Sequence, residues 1–254
     1  MNTPASVALV AGGASGLGFA VAAQLIRRGD HVVLLDLPFS RGVEAAEQLG
    51  PRAEFVAADV TEPLEVEAAV EAATELGNLR TAVSCAGVAT PGRVLGRGGV
   101  LPLEQFAHVV AVNLIGTFNV LRVAAAAMSA NAPDSSGDRG VIVCTSSIAA
   151  FDGQVGQVAY AASKGGVAAL TLSAARDLAE HAIRVVTIAP GVFDTPLLAA
   201  LPAGARASLG ATVPHPSRLG LPEEFAALVA HVLENPMLNG EVIRLDGALR
   251  MAPR

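Results

Sequence analysis

The only tyrosine and the only lysine of the 254-residue chain stand four positions apart, at Tyr160 and Lys164. A phenol, with an ordinary pKa of about 10, exchanges protons poorly at neutral pH unless a neighbouring cation favours its phenolate. The pair can therefore act as a general acid or base tuned by a positive charge. The alternative is an ordinary pair on a helix surface, where residues at i and i+4 are neighbours. Since every other strongly basic side chain is arginine, the lone lysine favours the chemical interpretation.

Two further polar residues join the candidate catalytic set. Ser147 follows a predicted strand at 141–145, from where its hydroxyl can reach the same substrate oxygen as the Tyr160 phenol. A turn or a helix cap is the alternative role for this serine. Asn113 falls inside a long helical pattern, 103–128, where asparagine has poor propensity unless its polar groups are used. It is predicted to hold a water or to kink the helix towards Lys164.

The N-terminal segment has the pattern of a dinucleotide site. A short apolar run at 7–10 enters a glycine-rich turn, and an amphipathic helix follows to about residue 28. Glycines let the backbone approach a pyrophosphate, and the free N–H groups at the helix start attract its charge. The turn residues predicted to bind the cofactor are Gly12, Ser15, Gly16, Leu17 and Gly18.

An acidic residue follows at the spacing that this pattern requires. Asp36 ends the second predicted strand, 31–35, where a carboxylate can accept both hydroxyls of an adenosine ribose and repel a 2′-phosphate. NAD is therefore predicted rather than NADP, the alternative being an aspartate that merely ends a strand. Asp59 and Val60 follow a third predicted strand, 54–58, where they can meet the adenine ring.

Strand and helix patterns alternate along the rest of the chain, with strand candidates at 81–84, 141–145, 183–188 and 241–245. Such alternation predicts one Rossmann-type doubly wound α/β domain over 1–254, a seven-stranded parallel sheet with helices on both faces. The cofactor half ends at about 140, and the catalytic and substrate half follows. Ligands bind outside the carboxyl ends of such strands. Further cofactor contacts are therefore predicted at Cys85, Ala86, Gly87, Pro190, Phe193 and Thr195.

Composition bounds the class of protein. With 52% hydrophobic and 16% charged residues, the chain can bury one large core. A formal charge of −6 argues against a nucleic-acid surface. No apolar run reads as a membrane span and no signal peptide precedes the first strand, so we expect a cytoplasmic location and no membrane partner. The two cysteines are expected to be free thiols, and the five histidines show no spacing for a metal site.

In order along the chain, these motifs resemble the short-chain dehydrogenase/reductase family, and the resemblance covers nearly the whole sequence. Three stretches, 34–38, 150–157 and 238–248, resemble its type II 3-hydroxyacyl-CoA dehydrogenase subgroup in particular. Three positions depart from the broader family. Ala11 stands where threonine is common, and Ser84 and Cys85 replace two asparagines; Cys85 matches the subgroup.

The resemblance implies a mechanism of alcohol oxidation. Ser147 hydrogen-bonds the substrate oxygen and Tyr160 takes its proton. Lys164 lowers the pKa of the phenol and binds the nicotinamide ribose, so Tyr160 and Lys164 also count as cofactor contacts. Asn113 supports a water that relays the proton, and Gln157 is expected to contact the substrate. A homotetramer paired through the two long helices is also implied.

Three functions stay open at this point. The first is oxidation of short or branched (S)-3-hydroxyacyl-CoA thioesters to 3-oxoacyl-CoA. The second keeps the mechanism for a hydroxysteroid or another secondary alcohol. The third, an NAD-binding regulatory or scaffold protein, needs none of the catalytic residues. Arg93 and Arg97 are either solvated loop charges or contacts for coenzyme A phosphates.

Overall fold

The computed structural model describes residues 6–199 and 202–253. Seven parallel strands form one sheet in the order β3-β2-β1-β4-β7-β8-β9, and a small antiparallel hairpin, β5-β6, stands apart from it. The strands are β1 Ser6–Ala11, β2 His31–Asp36, β3 Ala53–Ala57, β4 Asn78–Ser84, β5 Leu95–Gly96, β6 Gly99–Val100, β7 Gly140–Thr145, β8 Ile183–Pro190 and β9 Val242–Leu245. The predicted seven-stranded doubly wound sheet is confirmed, with strand ends shifted by a few residues at most.

Helices cover both faces of the sheet. They are α1 Gly16–Arg28, α2 Gly42–Leu49, α3 Pro63–Leu76, α4 Leu103–Val110, α5 Thr117–Ser129, α6 Val158–Asp177, α7 Pro196–Ala199, α8 Ala203–Ala211 and α9 Pro222–Glu234. One core lies between the sheet and helices α3, α5 and α6, and the other between the sheet and α1, α2 and α9. Because helices bury both faces, the central strands are almost wholly apolar, and every residue of β7 and β8 is buried.

The predicted long helix is continuous in space but not regular. A π-helical segment, Ala111–Gly116, joins α4 to α5 and contains Asn113. Such segments are rare and mark functional positions in many proteins. The structure thus puts a helical irregularity where the polar residue interrupted the apolar pattern.

The combined run Leu103–Ser129 also has the length and, over one 18-residue window, the apolar composition of a membrane span. Polar residues such as Asn113, Thr117 and Asn119 interrupt this run, so it is not an unbroken apolar stretch and the absence of a membrane partner stays a prediction. Half of the window is buried inside the protein, since α5 packs on α3 and β4 while α4 packs on α6. A core helix of this fold satisfies the same criteria.

A buried arginine ties the start of β8 to the end of α9. Arg184 is 5% exposed, and its Nε donates to Asp138 Oδ2 at 2.7 Å. Its remaining N–H groups donate to main-chain carbonyls at the end of α9 and just beyond, those of Val232, Leu233, Asn235 and Leu238. The carbonyls of Val232 and Leu233 are among those that the helix end leaves without partners, and the cation also suits the negative end of the helix dipole.

We expect Arg184→Met to lower the free energy of unfolding by about 3–5 kcal/mol, because it leaves Asp138 and several buried carbonyls without their donor. The measurement is urea-induced unfolding at fixed protein concentration. Arg218→Met is the matched control, since Arg218 pairs with Glu224 at the surface and its loss should lower the free energy of unfolding far less. Equal losses in the two variants would contradict the role given to Arg184.

Candidate active site

The carboxyl end of β7 presents the candidate catalytic serine. Ser147 is the N-cap of a short 3₁₀ helix, Ile148–Ala150, and its Oγ accepts a hydrogen bond from Ala149 N at 3.1 Å. This bond fixes the rotamer of a side chain that is 7% exposed. The helix-cap role and the predicted substrate role are thus compatible, because a hydroxyl that accepts one bond can still donate another.

Tyr160 and Lys164 lie in the first two turns of α6, and Lys164 is anchored to the end of β7. The Lys164 ammonium is 4% exposed, and its Nζ donates to Thr145 O at 2.8 Å. In return, Ser146 Oγ donates to Lys164 O at 2.7 Å. These two bonds hold the catalytic helix against the strand that ends at Ser147. The surface-pair alternative for Tyr160 and Lys164 is excluded, since the lysine is buried.

Burial shifts the pKa values of both Lys164 and Tyr160. Burial lowers the pKa of Lys164 to about 8, because the ammonium loses its hydration. Burial also raises the pKa of Tyr160, and a hydrogen-bonding interaction with Ser147 opposes that rise. Lys164 Nζ lies 5.8 Å from the centroid of the phenol ring. Desolvation by burial is the larger cause of the shift and Ser147 is the group that opposes it, so the lowering of the phenol pKa by Lys164 stays a prediction.

Asn113 clamps two parts of the site together. Its Oδ1 accepts from Val88 N at 2.8 Å, and its Nδ2 donates to Val88 O at 2.9 Å and to Ser163 Oγ at 3.0 Å. Ser163 Oγ in turn donates to Tyr160 O at 2.8 Å. The π-helical turn thus joins the loop after β4 to the first turn of α6. The relay of a proton through water at Asn113 stays a prediction.

The glycine-rich turn between β1 and α1 packs against the turn after β4. Gly12 has φ +74°, and a Cβ placed on it would lie 2.5 Å from Ala86 N. A Cβ on Gly18 would lie 2.1 Å from Gly12 O. Only glycine fits at these two positions, so the main chain can close on itself and leave room for a pyrophosphate. Ser15, Gly16 and Leu17 start α1, and the Ser15 hydroxyl makes no capping bond to that helix.

Asp36 is held in place at the end of β2. Its Oδ2 accepts from Ala14 N at 3.0 Å, and its Oδ1 accepts from Leu37 N at 2.8 Å. Each carboxylate oxygen has further acceptor capacity, so the side chain can still receive two hydroxyl donors. This geometry fits an adenosine ribose and opposes a 2′-phosphate, as predicted for NAD.

The predicted adenine contacts lie after β3. Asp59 Oδ1 accepts from both the N–H and the hydroxyl of Thr61 at 2.8 Å, which fixes the carboxylate. Val60 is buried, and its carbonyl accepts from Asn119 Nδ2 at 2.9 Å. These bonds orient the turn, and the adenine contact itself stays a prediction.

The turn after β4 contains Cys85, Ala86 and Gly87. Cys85 N donates to Ala11 O at 2.7 Å, and Thr145 Oγ1 lies 3.6 Å from Cys85 Sγ. Burial raises the pKa of the Cys85 thiol to about 11, so this thiol stays neutral. A Cβ placed on Gly87 would lie 3.5 Å from Lys164 Nζ, so this turn lies directly beside the catalytic lysine.

The segment after β8 closes the other side of the cleft. Pro190 ends β8, and Phe193 is 7% exposed and packs edge-on against Phe225. A Cβ placed on Gly16 would lie 3.5 Å from Thr195 Cβ. Thr195 therefore lies across from the glycine-rich turn, as a nicotinamide contact requires. Residues 200–201, in the apolar segment that follows Thr195, lie outside the described residues.

Gln157 lies beside the segment that leads to the hairpin, and its predicted contact with the substrate stays a prediction. Gln157 is the N-cap of α6, three residues before Tyr160, and it pairs with Gly92 at the base of the hairpin. The segment that contains Arg93 and Arg97 includes the paired strands β5 and β6. Both arginines are exposed, and their role stays a prediction.

Three residues of the site were not singled out from the sequence: Thr145, Ser163 and Val88. Ser163 stands beside the predicted Lys164, and that proximity was the available signal. Thr145 and Val88 act through main-chain groups, which no side-chain pattern can reveal. Within residues 6–199 and 202–253, no cluster of three or more His, Cys, Asp or Glu side chains suits a metal ion.

Comparison with known proteins places this geometry in context. The family model for short chain dehydrogenase matches residues 6–205. The chain is 54% identical to 3-hydroxyacyl-CoA dehydrogenase type-2 of Bos taurus, covering 97% of this chain and 96% of that protein. It superimposes with a TM-score of 0.94 on 3-hydroxyacyl-CoA dehydrogenase type-2 from Mycobacterium avium, at 46% identity over 98% and 97% of the two chains. A 3-ketoacyl-(acyl-carrier-protein) reductase from Brucella melitensis, complexed with NADH, gives a TM-score of 0.85 at 28% identity over 97% and 98%.

Proposed function

Because the chain belongs to the short-chain dehydrogenase family, we propose that it oxidises short or branched (S)-3-hydroxyacyl-CoA thioesters to 3-oxoacyl-CoA. It is an oxidoreductase, and NAD is its cofactor. The observation that carries the proposal is that Ser147, Tyr160 and Lys164 meet at the end of β7. Asp36 lies at the end of β2, on the same edge of the sheet. The thioester substrate is proposed from the relatives, which are 3-hydroxyacyl-CoA dehydrogenases.

The cleft fits NAD residue by residue. The turn from Gly12 to Gly18 would hold the pyrophosphate, Asp36 the adenosine ribose, Lys164 the nicotinamide ribose, and Thr195 the carboxamide. Bound NAD supplies the acceptor for the hydride that leaves the carbinol carbon. The protein supplies position, charge and the path of the proton.

Ser147 and Tyr160 act on the substrate oxygen. The Ser147 hydroxyl fixes the oxygen, and the Tyr160 oxygen exchanges its proton. Because burial raises the pKa of Tyr160, the phenol is protonated near neutral pH. That state is ready to donate a proton to a ketone, whereas oxidation needs the phenolate and therefore gains rate as the pH rises.

The experiment is steady-state oxidation of (S)-3-hydroxybutyryl-CoA, a hydroxysteroid and a simple secondary alcohol, each with NAD and with NADP. We expect the highest kcat/KM for the thioester with NAD. A preference for the steroid would support the second function instead. A preference for NADP would contradict the role given to the Asp36 carboxylate, and no turnover of any alcohol would leave the third function, a binding protein.

We also propose a homotetramer and a cytoplasmic location. Apolar side chains of the two long helices stay exposed on the single chain, among them Ile115, Phe118 and Leu172, which supports association through these faces. The two free thiols suit a reducing compartment. Sedimentation velocity at micromolar concentration tests the tetramer, and a monomer would contradict it.

A further inference from the structure

We propose that the C-terminal strap, residues 246–253, fixes the orientation of the side-chain amides of Gln154 and Gln157 at the substrate entrance. The inference rests on the function proposed above and adds to it a specific contact. Gln157 is presented with its amide carbonyl free, as an acceptor for an amide N–H of the substrate. The cysteamine portion of a coenzyme A thioester carries such an N–H, whereas a hydroxysteroid does not.

Two successive hydrogen bonds, from Gln157 to Gln154 and from Gln154 to Ala252, form a relay whose direction is fixed by the main-chain carbonyl of Ala252. Gln154 Nε2 donates to Ala252 O at 3.4 Å, and Gln157 Nε2 donates to Gln154 Oε1 at 2.9 Å. A carbonyl can only accept, so Ala252 requires the amide nitrogen of Gln154. Gln154 then turns its oxygen to Gln157, which must offer its own nitrogen. Within the part of the chain that the structure describes, no donor reaches Gln157 Oε1.

The strap is anchored firmly enough to hold this direction. Arg244, in β9, forms a bidentate ion pair with Asp152, and its Nη2 also donates to Leu249 O at 3.0 Å. Met251 N donates to Asp152 Oδ2 at 3.3 Å. One carboxylate therefore joins the strap to the loop that leads from Ser147 to Tyr160.

Two more contacts complete the anchor. Val155 N donates to Pro253 O at 3.1 Å, next to the Ala252 carbonyl that starts the relay. Leu249 is 6% exposed and packs with Ile148 and Val213 in a small separate core. The strap thus contacts the segment after Ser147 on one side and the segment after α8 on the other.

The relay predicts a difference between two small thioesters. The first is the (S)-3-hydroxybutyryl thioester of N-acetylcysteamine, which has the amide N–H, and the second is the S-propyl thioester, which lacks it. In Gln154→Leu, and in a chain that ends at Met251, Gln157 loses its fixed orientation. We expect kcat/KM for the first thioester to fall about three- to tenfold, the loss of one hydrogen bond, and that for the second to change less than about twofold.

Gln154→Glu is the matched control. A glutamate at this position can only accept, so it orients Gln157 without help from the strap. Ending the chain at Met251 in this background is therefore expected to leave the N-acetylcysteamine thioester unaffected. Equal losses on both thioesters, or no loss on either, would overturn the proposed relay while leaving the proposed function intact. Failure of the unaltered protein to oxidise either thioester would instead contradict the function itself.

Discussion

Tyr160→Phe is expected to lower kcat for oxidation of (S)-3-hydroxybutyryl-CoA by about 10²- to 10⁴-fold, the contribution of a positioned general acid or base. The chain has no other tyrosine, so no second phenol can take over. The oxygen that is removed lies beside Ser147, whereas the backbone bond from Ser163 Oγ to Tyr160 O remains. The substitution therefore removes a proton acceptor and leaves the start of α6 in place.

The control for Tyr160→Phe is the binding of NADH, measured by its fluorescence in the same samples. We expect the dissociation constant to change by less than a factor of a few, since Tyr160 is one of many predicted cofactor contacts and the predicted ribose contact of Lys164 remains. Unchanged turnover would exclude Tyr160 as the proton acceptor. A parallel loss of cofactor binding would mean that the ring oxygen serves the fold of the site rather than the reaction.

Lys164→Met is expected to abolish most turnover and to raise the thermal stability at pH 7. The pKa of Lys164 is lowered from 10.5 to about 8, so the unfolded chain binds more protons than the folded chain between these values. Below pH 8 the charged, buried ammonium therefore lowers the free energy of unfolding by its full amount, on the order of 3 kcal/mol. The cost fades as the pH rises towards 10.5. Methionine removes it and gives up about 1 kcal/mol for the bond to Thr145 O.

The measurement is the melting temperature of Lys164→Met and of the parent protein at pH 7 and pH 10. We expect a higher melting temperature for the variant at pH 7 and a smaller difference at pH 10. Lys164→Arg is the control, because it keeps a charge that does not titrate in this range and should show no gain. A variant that is less stable than the parent at pH 7 would show that the ammonium stabilises the fold.

Most of the fold could be predicted from the sequence because its signals are local. Each strand of the large sheet is a short apolar run between turn residues, and the alternation with helices fixes parallel pairing. The turn at Gly12 and the carboxylate of Asp36 stand at a spacing that the fold itself determines. Ser147 and Tyr160 were found for the same reason, since each follows a recognisable strand or starts a helix.

The parts that could not be predicted depend on contacts between distant segments. The burial of Lys164 against the end of β7 follows from packing that no spacing reveals. The rise of the Tyr160 pKa on burial has the same origin. The clamp from Val88 through Asn113 to Ser163 uses main-chain groups of a loop. The strap reaches Gln154 from about a hundred residues away in the sequence, and only the folded chain brings them together.

Transfer of deuterium from (S)-3-hydroxybutyryl-CoA labelled at carbon 3 to NAD, followed by mass spectrometry in a single turnover, tests the central claim most directly. The proposed mechanism predicts one deuterium in the reduced cofactor formed by the unaltered protein, and essentially none formed by Tyr160→Phe in the same time. An unlabelled reduced cofactor, or equal labelling by the two proteins, would contradict an alcohol oxidation in which Tyr160 takes the proton.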